Sequence, residues 1–330
     1  MTMQTNDRLG IGLLGAPELL KMVELAQRAE THGFESIWVA ETRLTRDAIT
    51  PCAAIAMATT RLKIATGIVN VYTRGAVLTA VSFVSLDEVA QGRIIMGLGT
   101  GSPLVLKPQG VAFHKPLTRL RETIEAVQAL IRGDAVTLTG ETIQVTAAQL
   151  EMTPLRRHIP LYLGVTGPKA LELAGEKAEG VILNAFLPTT YVERALVRIE
   201  AGAKRAGKRL AEVDISGAVV VSVDHDSKTA KDRARGFIGL YLALFPNIAQ
   251  ETHLPEAVIH QVRAAFHHGG PEATAAYIDD AIVEYLTASG TPAECRRKIE
   301  TYRAAGLQLP ILFPLAPNVP MAIETLGPLV

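Results

Sequence analysis

The chain has 330 residues, 48% hydrophobic and 20% charged, so it is long and apolar enough to bury a large core. The 33 Lys and Arg residues balance the 33 Asp and Glu residues, so the charge gives no reason to expect nucleic acid or an anionic membrane as a partner. No apolar run approaches the roughly 18 residues of a transmembrane helix, and residues 1–8 lack the apolar core of a signal peptide. We therefore expect a cytoplasmic protein, with Cys52 and Cys295 as reduced packing residues.

Strand and helix patterns alternate from the N-terminus onward. Residues 9–14 predict a strand, and residues 17–32 carry an amphipathic helical pattern that Gly33 ends. Further strands are predicted at residues 36–40, 62–69 and 93–98, and further helices at residues 47–60 and 76–90. A helix after each strand indicates parallel βα units.

The alternation resumes later in the chain after one interruption. A helix is predicted from Pro116 to Gly133, with an apolar stripe along one face, and a small hairpin follows within residues 135–145. The remaining predicted strands are residues 160–165, 180–184, 215–223 and 310–314, and the remaining helices beside them are a short one from Pro168, residues 189–206 and residues 319–326.

The eight predicted strands indicate the fold class. This count of βα units favours an α/β fold of the (β/α)8 TIM-barrel type over an open doubly wound sheet. We expect a single domain over residues 1–330, with a helical insertion at about residues 224–308 that shows no strand pattern. Helices are predicted there at residues 254–267 and 280–287, and another begins at the capping box of Thr291. Such an insertion either walls a substrate pocket or only packs on the barrel, and the sequence leaves both open.

The end of the second predicted strand carries an acidic residue, Glu41. In α/β barrels the carboxyl ends of the strands hold the active site, so this carboxylate has a position suited to meeting a ligand. The alternative is a structural ion pair with Arg43, Arg46 or Arg74. The local sequence favours neither reading.

Two turns that follow predicted strands have the composition of ligand-binding loops. Residues 97–101 (GLGTG) form a tight turn over which a flat ligand can approach the backbone, although the glycine spacing is not that of a dinucleotide fingerprint. Residues 166–169 (TGPK) open a helix, where free N–H groups and a lysine suit a phosphate. Local sequence alone favours an ordinary helix cap at this second turn.

Several common catalytic motifs are absent from the sequence. It contains no HExxH zinc motif, no P-loop and no nucleophile-elbow serine. His267 and His268 are adjacent rather than spaced along a helix face, so we interpret them as a solvated helix end and predict no metal site. The residue patterns alone thus predict a barrel with a polar mouth.

Five segments together carry a resemblance to a known family. They are residues 67–74 (GIVNVYTR), 86–93 (LDEVAQGR), 97–101 (GLGTG), 167–175 (GPKALELAG) and 289–292 (SGTP). In combination they resemble the bacterial luciferase-like monooxygenase superfamily of flavin and F420-dependent oxidoreductases, and most of all its F420-dependent methylenetetrahydromethanopterin reductase branch. The resemblance extends over residues 9–326 and implies a barrel with the deazaflavin coenzyme F420 lying across the strand ends.

The resemblance also implies roles for individual residues. Glu41 matches the acidic residue near ring and substrate and is the expected proton donor, and Ser102 is expected to orient the substrate. The Gly67–Ile68 pair is expected to form a bulge with a non-proline cis peptide beneath the ring, and the turn at Lys169 is expected to bind phosphate. The full set of expected cofactor contacts is Gly67, Ile68, Asn70, Thr100, Gly101, Thr166, Gly167, Lys169, Ala170 and Asn184.

Three positions depart from the family pattern. Gly12 stands where family reductases often have a glutamate on the first strand. Thr42 and Ser102 stand where sugar-phosphate dehydrogenases of the family have histidine and glutamate. Both family acid–base sets are therefore missing, which argues against a pterin or sugar-phosphate substrate and leaves the expected cofactor unchanged.

The favoured hypothesis is an enzyme that transfers a hydride between F420 and a small organic substrate whose identity stays open. The alternatives are a reduced-FMN-dependent monooxygenase of the same superfamily and a non-catalytic cofactor-binding barrel. The resemblance also implies a homodimer that packs through the apolar residues 49–57 and 77–84, although both segments could pack only on the barrel.

Overall fold

The computed structural model describes residues 8–14, 18–41 and 44–328, so the predicted start of the first helix at Pro17 lies outside the described residues. In chain order the strands are β1 Gly10–Leu14, β2 Ser36–Ala40, β3 Lys63–Asn70, β4 Ile94–Gly99, β5 Val136–Thr139, β6 Gln144–Ala148, β7 Leu161–Val165, β8 Gly180–Leu183, β9 Asp214–Val223, β10 Ala288–Gly290 and β11 Leu309–Pro314. The α-helices are α1 Leu19–Thr31, α2 Ile49–Ala58, α3 Ala76–Val89, α4 Pro103–Leu106, α5 Pro116–Arg132, α6 Pro168–Lys177, α7 Thr189–Arg205, α8 Ser227–Leu244, α9 Pro246–Thr252, α10 Glu256–Thr274, α11 Asp280–Leu286, α12 Pro292–Ala304 and α13 Val319–Leu326.

Eight parallel strands close into a barrel. Around it the order is β9, β11, β1, β2, β3, β4, β7 and β8, and β8 pairs back onto β9 to complete the ring. The predicted (β/α)8 TIM barrel is confirmed. Strands β5 and β6 form the predicted antiparallel hairpin, which stays outside the ring.

Both faces of the barrel strands are covered, as is usual for parallel sheets. Side chains on one face pack beneath the helices, and Ile37 and Ile64 there are fully buried. Side chains on the other face fill the interior, where Trp38, Tyr162 and Phe313 belong to one cluster. The rings of Trp38 and Tyr162 have their centroids 5.4 Å apart. The barrel is therefore a packed core, and space for a ligand is found at its end.

The segment between β9 and β11 is largely helical but differs from the prediction in two ways. It contains the short strand β10, in which Ala288 pairs with Val221 of β9, so the prediction of no strand there was wrong. Three small residues are too few to show a strand period in sequence. Helices α8 and α9 were also not predicted, and α8 packs with α10 in a second apolar cluster that includes Ile238 and Val262. The predicted capping box at Thr291 is present.

Strand β3 is bulged at Gly67. Ala40 of β2 pairs with Ile68, so Gly67 is skipped, and the register with β4 also breaks between Ala65 and Val69. The predicted cis peptide at Gly67–Ile68 was wrong, because the cis bond among the described residues is Ala316–Pro317. The bulge takes up the extra residue with trans peptides.

Charged side chains tie together the amino-terminal ends of the barrel strands. Arg8 donates hydrogen bonds to Glu35 at 2.7 Å and to both carboxylate oxygens of Asp214 at 2.9 and 2.7 Å. The Tyr162 hydroxyl donates to Asp214 at 2.6 Å, and Lys63 donates to Glu35 at 2.7 Å. Burial acts to raise the pKa of Glu35, but the bonds from Arg8 and Lys63 outweigh it and lower that pKa overall. This Arg8 network stabilises the end of the barrel that lies away from the strand carboxyl ends.

We expect Tyr162→Phe to lower the free energy of unfolding by about 2 kcal/mol, because the largely buried Asp214 carboxylate loses a short hydrogen bond. Urea denaturation with an unchanged m value measures this loss. The control is Lys204→Met, which breaks an exposed pair with Glu200 and should change stability by less than about 0.5 kcal/mol. Equal losses in the two variants would contradict a stabilising role for the network.

Candidate functional site

A cavity of about 200 Å³ lies at the carboxyl ends of the barrel strands. Four residues of the predicted site line it, namely Glu41, Gly67, Ile68 and Asn184. The rest of its wall is mainly apolar and comes from the strand ends, the loop after β8 and helix α8. We call this space the mouth cavity, and it lies where barrel enzymes bind their substrates.

The bulge in β3 forms the floor of the mouth cavity. The side chain of Ile68 extends across the neighbouring strands and lies against Gly164 of β7. A Cβ at Gly164 would come within 2.5 Å of Ile68 Cγ2, so only glycine leaves room for this side chain. The floor is consequently an apolar surface of β3 and β7 backbone and the Ile68 side chain.

Glu41 is positioned by two hydrogen bonds just after β2. Its carboxylate accepts from the backbone N–H of Ala48 and from Nδ2 of Asn70, each at 3.2 Å. Burial nevertheless raises its pKa, outweighing these bonds and the attraction of Arg74, and the negative charge of Asp47 adds to the rise. The side chain is thus fixed in place while its charged form is disfavoured.

Glu41 also lines a second, polar pocket of about 300 Å³. Arg46, Asp47, Asn70 and Arg74 line the same pocket. The carboxylate therefore lies between an apolar cavity and a polar one, an arrangement that suits a group which exchanges a proton between the two.

Asn70, the predicted ring contact, makes hydrogen bonds to three residues of the chain. Its Oδ1 accepts from the backbone N–H groups of Tyr72 and Thr73 at 3.1 and 2.9 Å, and its Nδ2 donates to Glu41 and to the Thr73 hydroxyl. The residue is only 4% exposed. Its amide is occupied within the protein, so it orients Glu41.

The loop after β4 carries the predicted residues Thr100, Gly101 and Ser102. Gly101 has a φ of +64°, in the left-handed region that favours glycine. The Thr100 hydroxyl donates to the Gly101 carbonyl at 3.4 Å. The buried Ser102 hydroxyl makes no hydrogen bond to any residue that the structure describes, and an unpaired buried hydroxyl is a place where a ligand group can bind.

Thr166 and Asn184 meet beside the mouth cavity. Asn184 Nδ2 donates to the Thr166 hydroxyl at 3.4 Å, and the Tyr191 hydroxyl donates to the Thr166 carbonyl at 2.6 Å. These bonds connect the ends of β7 and β8 to helix α7. The two predicted residues therefore belong to one polar cluster at the edge of the cavity.

The predicted phosphate turn is exposed at the start of helix α6. A Cβ at Gly167 would meet no heavy atom within 4 Å, so the space above the turn is open to a ligand. Lys169 is exposed beside it. The Ala170 N–H already donates to the Gly167 carbonyl at 3.0 Å, so this donor is engaged within the helix.

The aromatic wall of the mouth cavity was not predicted. It consists of Phe186, Phe237, Tyr241 and Phe313. Phe186 has a φ of +58°, unusual for a non-glycine residue, and its ring centroid is 4.4 Å from that of Tyr241. The i, i+4 spacing of Phe237 and Tyr241 places both on one face of α8, but that signal is readable only once α8 is known to be a helix.

Gly12, one of the departures from the family pattern, lies beside an aromatic ring. A Cβ at Gly12 would overlap the ring of Phe313, so the aromatic ring occupies the space where the resemblance places a first-strand glutamate. Thr42 lies outside the described residues. The interior end of the mouth cavity is therefore apolar on the side of β1 and β11.

No group of three or more His, Cys, Asp or Glu residues in the described part of the chain is arranged to hold a metal ion, and His267 and His268 are exposed. None of the described helices is long and apolar enough to cross a membrane.

The sequence agrees with a known family over most of its length. Residues 3–309 match the luciferase-like monooxygenase family. The chain therefore belongs to that family, which confirms the predicted family and agrees with the barrel described above.

The chain is also similar to individual F420-dependent reductases. It is 33% identical over 321 residues to the 5,10-methylenetetrahydromethanopterin reductase of Methanolobus tindarius, covering 96% of this chain and 98% of that protein. It is 30% identical over 326 residues to the reductase of the same name from Archaeoglobus fulgidus, covering 97% of each. The solved coenzyme F420-dependent tetrahydromethanopterin reductase of Methanopyrus kandleri matches with a TM-score of 0.90 and 28% identity, covering 98% of both chains. The predicted reductase branch is confirmed.

The described residues fit a deazaflavin with an anionic tail. The mouth cavity offers an apolar floor at Ile68 and a polar edge at Asn184. The open turn at Gly167 has a lysine beside it, which suits a phosphate. The unpaired Ser102 hydroxyl is a further group available to a ligand.

We expect the double variant Lys169→Ala, Gly167→Val to weaken F420 binding about tenfold or more, because it removes a positive charge and fills the open space above the turn. Fluorescence titration of the cofactor measures the affinity, and an unchanged melting temperature shows that the fold is intact. The control is Lys177→Ala at the other end of α6, where the lysine pairs with Glu125. If the wild type and the double variant bind F420 with the same affinity, and likewise FMN, the turn is an ordinary helix cap.

Proposed function

We propose that the mouth cavity is where a hydride passes between coenzyme F420 and a small organic substrate, with Glu41 as the proton donor. The chain is an oxidoreductase of the F420-dependent kind, as its membership of the family and its similarity to the F420-dependent reductases establish. The observation that carries the proposed role of Glu41 is its half-buried carboxylate, held between an apolar cavity and a polar pocket.

Different residues of the chain have different proposed roles around the cofactor. F420 would supply a carrier that gives or accepts a hydride, which is two electrons together with a proton. Ile68 and Phe313 form apolar surface that excludes water from the reacting atoms. Lys169 and Gly167 hold the anionic tail, and Ser102 orients the substrate.

Glu41 gives its proton to the substrate as the hydride arrives and regains one from the polar pocket, which it also lines. Its raised pKa supports this role, because a carboxyl group that retains its proton nearer neutral pH is a better general acid. Asn70 and the Ala48 N–H fix the direction in which the carboxyl group points. Asn70 is thus a positioning residue.

Reduced FMN is the second candidate cofactor, because the family is described as monooxygenases. The lysine at position 169 and the names of the reductase relatives favour F420. Titration of the apo-protein with each cofactor separates the two. A chain that binds one of them without oxidising or reducing any substrate would support the non-catalytic alternative.

We further propose that residues 1–330 form one domain in which the insertion at about residues 224–308 serves as a wall of the site. Helix α8 of that insertion contributes Phe237 and Tyr241 to the lining of the mouth cavity. This placement supports the pocket-wall alternative over simple packing.

We expect Glu41→Gln to lower kcat about 100-fold or more while the Kd for F420 changes less than about threefold, because only the transferable proton is lost. The melting temperature should stay the same or rise, since burial disfavours the charged carboxylate that the amide replaces. Asp47→Asn, which changes another carboxylate of the polar pocket, serves as the control and should keep most of its turnover. A lower melting temperature with normal turnover per folded molecule would mean that Glu41 is structural.

The pH profile of reduction should report the same group. Because the donor must be protonated, kcat should fall as pH rises through the pKa of Glu41, and burial places this fall above the ordinary value of 4.5. Glu41→Gln should abolish this alkaline fall in whatever activity remains. An identical profile in the variant would assign the titration to another group.

We also propose a homodimer that packs through the predicted segments 49–57 and 77–84. Met57, Val77 and Leu78 are 78%, 38% and 55% exposed on the neighbouring helices α2 and α3. Other apolar residues of the same segments, such as Phe83, pack within the chain. Exposed apolar side chains on two neighbouring helices support an interface there.

Light scattering at micromolar concentration should give twice the mass of one chain. Met57→Lys with Leu78→Lys should give the mass of a single chain, because two charges would be buried in the interface. Val197→Lys changes a residue that is 65% exposed on α7 and should leave the dimer intact. A wild-type mass of one chain would rule the dimer out.

A further inference from the structure

A second apolar cavity adjoins the mouth cavity. It has a volume of about 420 Å³ and lies where β1 and β11 end, against α8 and α13. Phe237 and Leu315 line both cavities, so these two side chains form the partition between them. We call this second space the side cavity.

The side cavity has the chemistry of a site for hydrocarbon. Its described lining includes Leu13, Leu25, Pro317 and Val319. Lys21 is the cation among those lining residues, and it is paired with Glu24 at 2.8 Å on the exposed surface of α1. A charged ligand group would find no free charged side chain in that described lining. Alkyl groups would bind favourably there, because their apolar surface would be removed from water.

Phe237 is the more exposed part of the partition. It is 36% exposed, in contrast to Leu315, which is only 4% exposed. An aromatic ring with one side open to solvent can change rotamer without disturbing the packed core. On the side of the mouth cavity, the ring of Phe313 fills the space beside Gly12, so apolar surface continues from one cavity to the other.

We infer that the substrate is an uncharged molecule whose reacting carbon lies in the mouth cavity and whose hydrocarbon part passes Phe237 into the side cavity. Phe237 is then a specificity-determining residue that controls how long a chain the site admits. This inference rests on the proposed function, since it places the reacting end of the substrate next to Glu41.

Binding of linear 2-alkanones from 2-butanone to 2-undecanone tests the inference. Calorimetry on the full chain, with and without F420, gives an affinity and a stoichiometry for each. We expect one site per chain, and an affinity that rises about fourfold for each methylene removed from water. The rise should continue through the longer members. An affinity that levels off among the shortest members, in the wild type and in Phe237→Ala alike, would overturn the inference.

Two variants separate the side cavity from general hydrophobic binding. Val319→Phe narrows the side cavity and should weaken 2-undecanone binding about 60-fold, the effect of three excluded methylenes, while leaving 2-butanone unchanged. Val197→Phe makes the same exchange on the exposed face of α7 and should change neither affinity. Equal effects of the two phenylalanines would contradict the side cavity as the binding site.

Phe237→Ala supplies an independent result should Val319→Phe fail to fold. It opens the partition and should tighten 2-undecanone binding relative to 2-butanone binding. An unchanged ratio of the two affinities would overturn the specificity-determining role of Phe237.

F420 titration of the same samples separates this inference from the proposed function. F420 binding without alkanone binding would refute only the side-cavity site, and alkanone binding without F420 binding would refute the proposed cofactor chemistry.

Discussion

The bulge in β3 is the constraint on which the rest of the site depends. By skipping Gly67 in its pairing with β2, the strand directs Ile68 across Gly164 and creates a floor at the centre of the barrel mouth. The same strand ends at Asn70, whose amide holds Glu41. One irregularity in backbone pairing thereby sets the position of the apolar floor and of the carboxylate beside it.

The two ends of the barrel use charge in opposite ways. At the amino-terminal end, Arg8 binds two carboxylates, and the pKa of Glu35 is lowered, so charge stabilises the fold there. At the carboxyl end, the hydrogen bonds to Glu41 do not offset the effect of its burial, so its pKa is raised. The first arrangement adds to stability at neutral pH and the second subtracts from it, which is the usual division between scaffold and active site in a barrel enzyme.

The regular part of the fold was predictable because it depends on local sequence. All eight barrel strands were expected close to their observed bounds. The strand-end rule pointed to Glu41, and the family resemblance pointed to Gly67 and Asn184, which line the same cavity. The aromatic wall was not predictable, since Gly236 and Gly239 interrupt the helical pattern of α8 and weaken the prediction of a helix there. Strand β10 depends on a partner strand far away in sequence, which no local pattern encodes, and the bulge in β3 was expected from the family resemblance rather than from local sequence.

Gly12 leaves the proposed chemistry with Glu41 as the carboxylate in the described lining of the mouth cavity. Two carboxylates close together share a proton and titrate as a pair, so neither acts independently. Here the Phe313 ring occupies the space beside Gly12, and the resulting surface is apolar. Burial is the largest cause of the raised pKa of Glu41, the negative charge of Asp47 adds to it, and the attraction of Arg74 opposes it. In the proposed role of Glu41, the raised pKa keeps its carboxyl group protonated nearer neutral pH, and the apolar surface beside Gly12 suits an uncharged substrate.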